Sequence, residues 1–267
     1  MSAQADGAAP PTKVRLGGMA LGNGVLVHGP TAWACAVRTA DGRVKVVAER
    51  KRLVGSRVTR PLLRGPARLV EALALLPRLK RALPEAQLPF EGGAMLASTA
   101  GAAAALHALR RSRLSATAQE LVGGVLAVAP ALRSLRVGSL AAYHGAEHIA
   151  IGSYEQDAPS TREHDRCGGH LVGPLLATTA VGNLLAARAP ADVRPAARLA
   201  ASLGAVAAST EIFGWMQRNP DRPLARALAL PGHELQHRLS TAEPSPEQLE
   251  VAEAALAACL ELERPAG

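Results

Sequence analysis

The sequence predicts a mainly α-helical chain, a multi-pass membrane bundle of about four spans, with a small N-terminal β-hairpin or meander region and a C-terminal amphipathic helix. Three observations carry this expectation. Hydrophobic residues make up 48 % of the 267 residues while aromatics make up only 2 %, so Ala, Leu and Val supply most of the apolar surface. Four stretches run long with little or no charge: Gly92–Leu109, Leu121–Leu132 (extended if Arg136–Ala142 continues it), Gly168–Ala187 and Leu199–Gln217. A bilayer span takes about 20 such residues. With all four in the membrane, only Arg110, Arg111, Arg113, Arg188, Arg194 and Arg198 fall in the opposite loops. The positive-inside rule then puts the N-terminus, the 143–167 loop and the C-terminal tail on the cytoplasmic side of the cell membrane. Glu211 interrupts the last stretch, and an intramembrane carboxylate is costly enough to suggest function.

The elements follow in order. Residues 1–12 form an Ala/Pro tail expected to be disordered, and 13–267 a single domain. Within it, 14–60 is β-rich, with alternating runs around Asp41-Gly42, a hairpin signal. Residues 61–91 carry a basic amphipathic segment broken at Pro77, suited to an anionic lipid face or to its own domain. Residues 92–217 hold the apolar helices and a polar loop, and 218–267 the C-terminal tail. There Ser245-Pro246-Glu247-Gln248 reads as a capping box with Pro at the first helical position. The helix it starts runs to about Leu262, with Leu249, Ala252, Leu256 and Leu260 on the buried stripe.

The composition narrows the classes. Three widely spaced cysteines form no disulfide framework. The net charge of +8 comes with two Phe, two Tyr and two Trp and no nucleic-acid-binding motif, so no nucleic-acid partner is expected. The first fifteen residues have no signal-peptide core.

Six of the eight histidines sit in or beside three short stretches, YHGAEH, HDRC and HELQH. On a helix His144 and His148 share a face one turn apart, with Glu147 about 60° away. Two imidazoles so placed can bind one divalent metal while the carboxylate takes a proton, and His-x-x-Glu-His is the inverted zinc-peptidase signature. Glu155 returns to nearly the same face if the helix survives Gly152. His164 and Cys167 follow at a spacing that lets both reach one ion. The third ligand is therefore Glu155, His164 or Cys167. His233-Glu234-Leu235-Gln236-His237 matches the direct signature, but Pro231 and Pro244 allow only a short helix. A hydrogen-bonded polar network is the alternative reading of these clusters.

Taken together, GGMALGNGVLVHGP, RGPARLVEAL, YHGAEHIAIGSYE, HDRCGG and LPGHELQHRLSTAEPSPEQLEVA resemble the YqhQ-like family, over about Leu16 to Leu260. That family is a domain of unknown function, catalogued as a predicted metal-dependent enzyme of bacterial membranes. The resemblance supports Tyr143, His144, Glu147, His148, Tyr154, Glu155, His164, Arg166, Cys167, Glu211 and Gln236. It departs at Asn23, where the family has Glu, at His28 where it has Arg, at Ile149 for Lys and at Gly169 for Thr. His233, Glu234 and His237 are not family positions.

The expected function is a membrane enzyme using a divalent metal, zinc first among the candidates, for metal-assisted hydrolysis of a small-molecule or peptide substrate. Glu147 serves as base and Arg166 holds an anionic group. Membrane lipid is the expected surrounding. No substrate-binding strand pattern of a peptidase is visible in the sequence. The alternative is a non-catalytic scaffold, assembly or transport-accessory protein with a structural metal or a histidine lock.

Overall fold

The computed structural model describes residues 13–264, apart from 53–54, 90, 92 and 135–138; the N-terminal tail of residues 1–12 lies outside the described residues. Four strands come first, β1 Gly17–Leu21, β2 Gly24–His28, β3 Ala32–Arg38 and β4 Val44–Arg50. They form an antiparallel meander in the order β1-β2-β3-β4. Eight α-helices follow: α1 Arg64–Ala82, α2 Gly93–Arg110, α3 Ala116–Ser134, α4 Leu140–Gln156, α5 Val172–Ala187, α6 Arg194–Arg218, α7 Pro223–Leu235 and α8 Pro246–Glu263.

The strands are short and tightly turned. Asp41-Gly42 closes the β3–β4 connection, where Gly42 takes the left-handed conformation (φ 81°) and its N–H donates to the Thr39 carbonyl at 2.9 Å. Asn23, in the β1–β2 turn, donates to the carbonyls of Arg38 and Glu85 and accepts from the Gln87 N–H. It thereby ties the sheet corner to the segment after α1.

β2 and β3 are buried on both faces, which is why they are apolar at every position up to their last residues, His28 and Arg38, rather than alternating. One face presents Val25, Val27, Ala34 and Ala36 to α4 and α8. The other presents Leu26, Trp33, Cys35 and Val37 to Leu75, Leu79 and Leu83 of α1 and its C-terminal end. Burying a side chain of Leu or Val size contributes about 1.5–3 kcal/mol. These two layers are thus the thermodynamic centre of the N- and C-terminal parts.

α8 is capped as the sequence predicts: the Ser245 side chain accepts from the Gln248 N–H, and Gln248 reaches back to the Ser245 N–H. Its buried stripe, however, is Val251, Ala252, Ala255 and Cys259, with Leu249, Leu256 and Leu260 only partly buried. The helix must approach β2 and β3 closely, and small side chains allow that where leucines would hold it off. α1 also differs from expectation by running unbroken through Pro77. Pro77 and Leu73, whose carbonyl loses its helical partner, both lie on the exposed side, where water can serve instead.

The four-span bundle is not what the structure contains. Among the described residues two helices are long and apolar enough to cross a membrane, Gly168–Ala187 and Arg194–Arg218. Helix α2 fails because Ala, Gly, Ser and Thr make up much of it and His107 and Arg110 end it. In α3 the uncharged run is only Leu121–Leu132, between Glu120 and Arg133, and Pro130 sits inside it. α2 and α3 pack on each other, as do α5 and α6.

α4 is positioned by close backbone approach. A side chain at Gly145 would overlap the Ala242 carbonyl oxygen, and the Ala242 N–H donates to the Ala141 carbonyl at 2.9 Å. Gly145→Val should therefore cost about 1–3 kcal/mol, the usual effect of forcing bulk into a packed contact. Ser245→Ala should cost about 1 kcal/mol through loss of the cap. Urea titration in mild detergent, followed by fluorescence of the buried Trp33, measures both.

Candidate functional site

The centre of interest is a cavity of about 400 Å³ between α4, the loop after it and the outer side of β1. It forms because α4 continues through Gly152 to Gln156 and the chain then turns back, with Asp157 in the left-handed conformation. The returning loop carries His164, Arg166 and Cys167 to the helix face that holds His144, Glu147 and His148.

Hydrogen bonds to backbone carbonyls set the imidazoles. His144 Nδ1 donates to the Ser240 carbonyl at 2.8 Å, and His148 Nδ1 donates to the Arg162 carbonyl at 2.7 Å. Each ring is therefore the tautomer whose Nε2 carries a lone pair. Nε2 of His148 is buried and has no hydrogen-bond partner among the described residues. Nε2 of His144 lies 3.5 Å from Cys167 Sγ. Ligand atoms of His144, His148 and Cys167 all lie within 4.8 Å of one another.

The carbonyls are themselves held. Ser240 ends a π-helical turn, Gln236–Ser240, that extends α7. The Arg162 guanidinium donates to the Thr241 carbonyl at 2.8 Å and to the Thr241 hydroxyl at 3.0 Å, locking the loop to this turn. Gln236 is fully buried; its Oε1 accepts from the His164 N–H at 2.9 Å and its Nε2 sits 3.0 Å from His170 Nε2.

Electrostatics follow from burial. The Glu147 carboxyl is pushed up to about 8 by desolvation, so it is protonated at neutral pH. His144 Nε2 stands 4.0 Å from its Oε2. His148 is lowered to about 3, first by desolvation and then by His144. Burial raises the Cys167 thiol to about 12, with the Glu147 charge adding to it and the Gly169 N–H, which donates to Sγ, opposing it.

The predicted residues divide into three groups. His144, His148, Cys167 and Glu147 come together. Glu155 and His164 lie beside them but face each other, His164 Nε2 3.1 Å from Glu155 Oε2, and Glu155 also pairs with Arg166. The rest lie elsewhere. Tyr143 faces Arg38 in the sheet core. Tyr154 accepts from the Val14 N–H. Glu211 accepts from Arg64 and from the Leu62 N–H, at the start of α1. In the HELQH stretch, His237 Nδ1 contacts Glu163 at 2.7 Å, His233 stacks on His237 at the surface, and Glu234 pairs with Arg238.

Three contributors escaped sequence reasoning. Ser240 and Arg162 act through main-chain carbonyls, which leave no mark in residue type. His28 lines the cavity from β2, with Nδ1 3.1 Å from Lys51 Nζ. Lysine only donates, so His28 Nδ1 accepts and its Nε2 carries the proton. The pairing of Lys51 with the buried Glu71 completes this network. Its sequence signal was the replacement of a basic family residue by histidine.

Residues 131–262 match the model of a family described as protein of unknown function (DUF1385). Residues 131–262, just under half of the chain, carry the domain of this YqhQ-like family. Over 121 residues it is 36 % identical to the uncharacterized protein YqhQ of Bacillus subtilis (strain 168), across 41 % of this chain and 37 % of that protein. It thus spans little more than a third of the length of the curated relative it matches. No solved structure matches. The family match covers α4 to α8, hence the His144/His148/Cys167 cluster, Glu147 and Gln236, while β1 and His28 lie before it.

His28 yields a pH prediction. Desolvation, then the Lys51 charge, lowers it from its ordinary 6.5 to about 4, while Glu71 and Glu263 oppose. The unfolded chain therefore takes up a proton that the fold refuses, so stability present above pH 6.5 is lost as pH falls toward 4. His28→Gln should show a shallower loss across this window in urea titrations at stepped pH.

Proposed function

We propose that this protein is a membrane-associated, metal-dependent hydrolase whose ion sits between His144, His148 and Cys167. The observation that carries the reading is the buried Nε2 of His148, unpartnered among the described residues, in a cluster where ligand atoms of His144, His148 and Cys167 lie within 4.8 Å of one another. An acceptor lone pair left unsatisfied in the interior costs about 1–3 kcal/mol. Two imidazoles whose other nitrogen donates to a carbonyl, plus a thiol, are the donor set and outer hydrogen bonding that zinc takes, and three protein ligands leave a position open. When bound, a divalent ion supplies Lewis-acid polarisation of a carbonyl and makes water acidic enough to act near neutral pH.

The chain's own groups do the rest. Glu147 takes a proton from water and returns it to the leaving group. Burial keeps Glu147 protonated when no cation is near, so its service as base presupposes positive charge at the cluster. Arg166 lines the cavity and would bind an anionic substrate group by exchanging its Glu155 partner.

The membrane reading rests on α5 and α6, which leave Leu176, Val181, Leu184, Leu185, Leu199 and Leu203 exposed. α1 lies against α6 with Leu69, Val70 and Leu73 exposed, as an interfacial helix would. With this hairpin as the membrane part, only Arg188, Arg194 and Arg198 are opposite the cavity, and by the positive-inside rule this supports a cytoplasm-facing cavity.

A scaffold with a structural metal is the second reading. It calls for a fourth protein ligand closing the site, and among the described residues three converge.

Elemental analysis of protein purified without chelator tests the proposal. The native chain, His164→Ala and Glu155→Gln should carry near-stoichiometric metal, and His144→Ala, His148→Ala and Cys167→Ala should lose it. No metal in the native chain after zinc, iron or manganese re-addition would sink the reading and leave a polar lock. Carbonate extraction tests the membrane part: the chain should stay in the pellet, and release into the supernatant would remove it.

A further inference from the structure

The outer edge of β1 forms one wall of the cavity, from Leu16 through Ala20. Among the described residues β1 is an edge strand, paired with β2 alone. Which of its backbone groups face outward follows from hydrogen-bond parity. The Gly29 N–H donates to the Ala32 carbonyl, and the Arg38 N–H to the Asn23 carbonyl. Odd-numbered residues of β2 therefore bond to β3, and Gly24, Leu26 and His28 bond to β1. Their partners are Leu21, Met19 and Gly17. This leaves the N–H and C=O groups of Gly18 and Ala20 directed away from the sheet. The next outward donor, the Gly22 N–H, is taken by the Gln87 carbonyl at 2.8 Å. Gly18 and Ala20 have no such partner among the described residues.

Next to this edge, the face of β1 meets the chemistry. A side chain at Gly18 would overlap the Glu147 carboxylate, so Glu147 rests against the strand at that residue. Apolar walls from Leu16, Leu140 and Ile151 flank the same space. A volume of about 400 Å³ is within the range of ligand-binding clefts.

We infer that the substrate is an extended peptide segment, bound by adding a strand to the β1 edge so that its backbone pairs with Gly18 and Ala20 beside Glu147 and the His144/His148/Cys167 cluster. Main-chain pairing supplies affinity without dependence on sequence, and the apolar walls select side chains. An added strand would lie about 4.8 Å from β1, on a strand whose residues 16–20 line the cavity. Hydrolysis then joins the water oxygen to the peptide carbonyl carbon and breaks the C–N bond. Glu147 carries the water proton to the departing nitrogen, giving a carboxylate and an amine. The cleavage rests on the hydrolase reading above; the binding stands on the strand edge.

Hydrogen exchange on the full chain in detergent decides it, with β-casein, an unfolded protein, as probe. Glu147→Gln prevents turnover, and each sample is run metal-free and zinc-loaded, with zinc content measured in parallel. β-Casein should slow exchange in the 16–22 segment and leave β3 unchanged. Ala20→Pro removes an outward N–H and no sheet hydrogen bond, so it should weaken β-casein binding about tenfold by fluorescence anisotropy, the effect of one lost hydrogen bond. Ala20→Ser, which keeps the N–H, should bind as the native chain does. Zinc bound with no protection at saturating β-casein would overturn peptide addition and leave the hydrolase with another substrate class. Protection without any zinc would sink the hydrolase reading while strand addition stands. If Ala20→Pro misfolds, as Trp33 fluorescence would show, the exchange result alone decides.

Discussion

Two backbone carbonyls, those of Ser240 and Arg162, take the Nδ1 protons of His144 and His148, and the organisation of the cavity follows from that choice of tautomer. With Nδ1 occupied, the only basic nitrogen left on each ring is Nε2; that of His144 lies 3.5 Å from Cys167 Sγ and that of His148 is buried without a partner among the described residues. The carbonyls come from segments distant in sequence, brought together by the Arg162 clamp on Thr241 and by buried Gln236 bridging His164 and His170. The π-helical turn at Gln236–Ser240 is the local irregularity that offers the Ser240 carbonyl to a side chain, and such turns recur at functional sites.

Burial gives this polar cluster its chemistry. Glu147, His144 and His148 all favour their neutral forms because solvent is excluded, and the Cys167 thiol holds its proton for the same reason. A set of groups that are neutral alone, yet each able to face positive charge, is strongly responsive to a cation. By contrast Glu155 is already compensated by Arg166 and His164. That difference separates residues that could serve an ion from residues that brace the loop.

Much of the local structure was legible. The Ser245 capping box, the Asp41-Gly42 turn and the one-turn spacing of His144 and His148 are short-range features, set by backbone and side-chain geometry within a few residues. The membrane pattern was over-read. Uncharged Ala-rich stretches look alike whether they span or pack as a surface hairpin, and α2 and α3 fall short once helix ends and polar positions are fixed. The stripe on α8 shifted because the sheet admits small residues most closely, and no helix-face count on a lone sequence contains the distance to a neighbouring sheet. Glu211, legible as a carboxylate inside an apolar stretch, accepts from Arg64 and so ties α6 to the start of α1, a pairing that only the tertiary structure shows.

The sequence by itself determined the helices, the meander and the residue types able to hold a metal, because those depend on periodicity, turn chemistry and spacing. Tertiary structure alone decided which of Glu155, His164 and Cys167 joins the two histidines, since all three are close in sequence and only loop closure chooses among them. It also decided that an edge strand formed over a hundred residues earlier lies beside Glu147. A strand's free edge is made of main-chain groups, which every residue carries, so no pattern of side chains could have announced it.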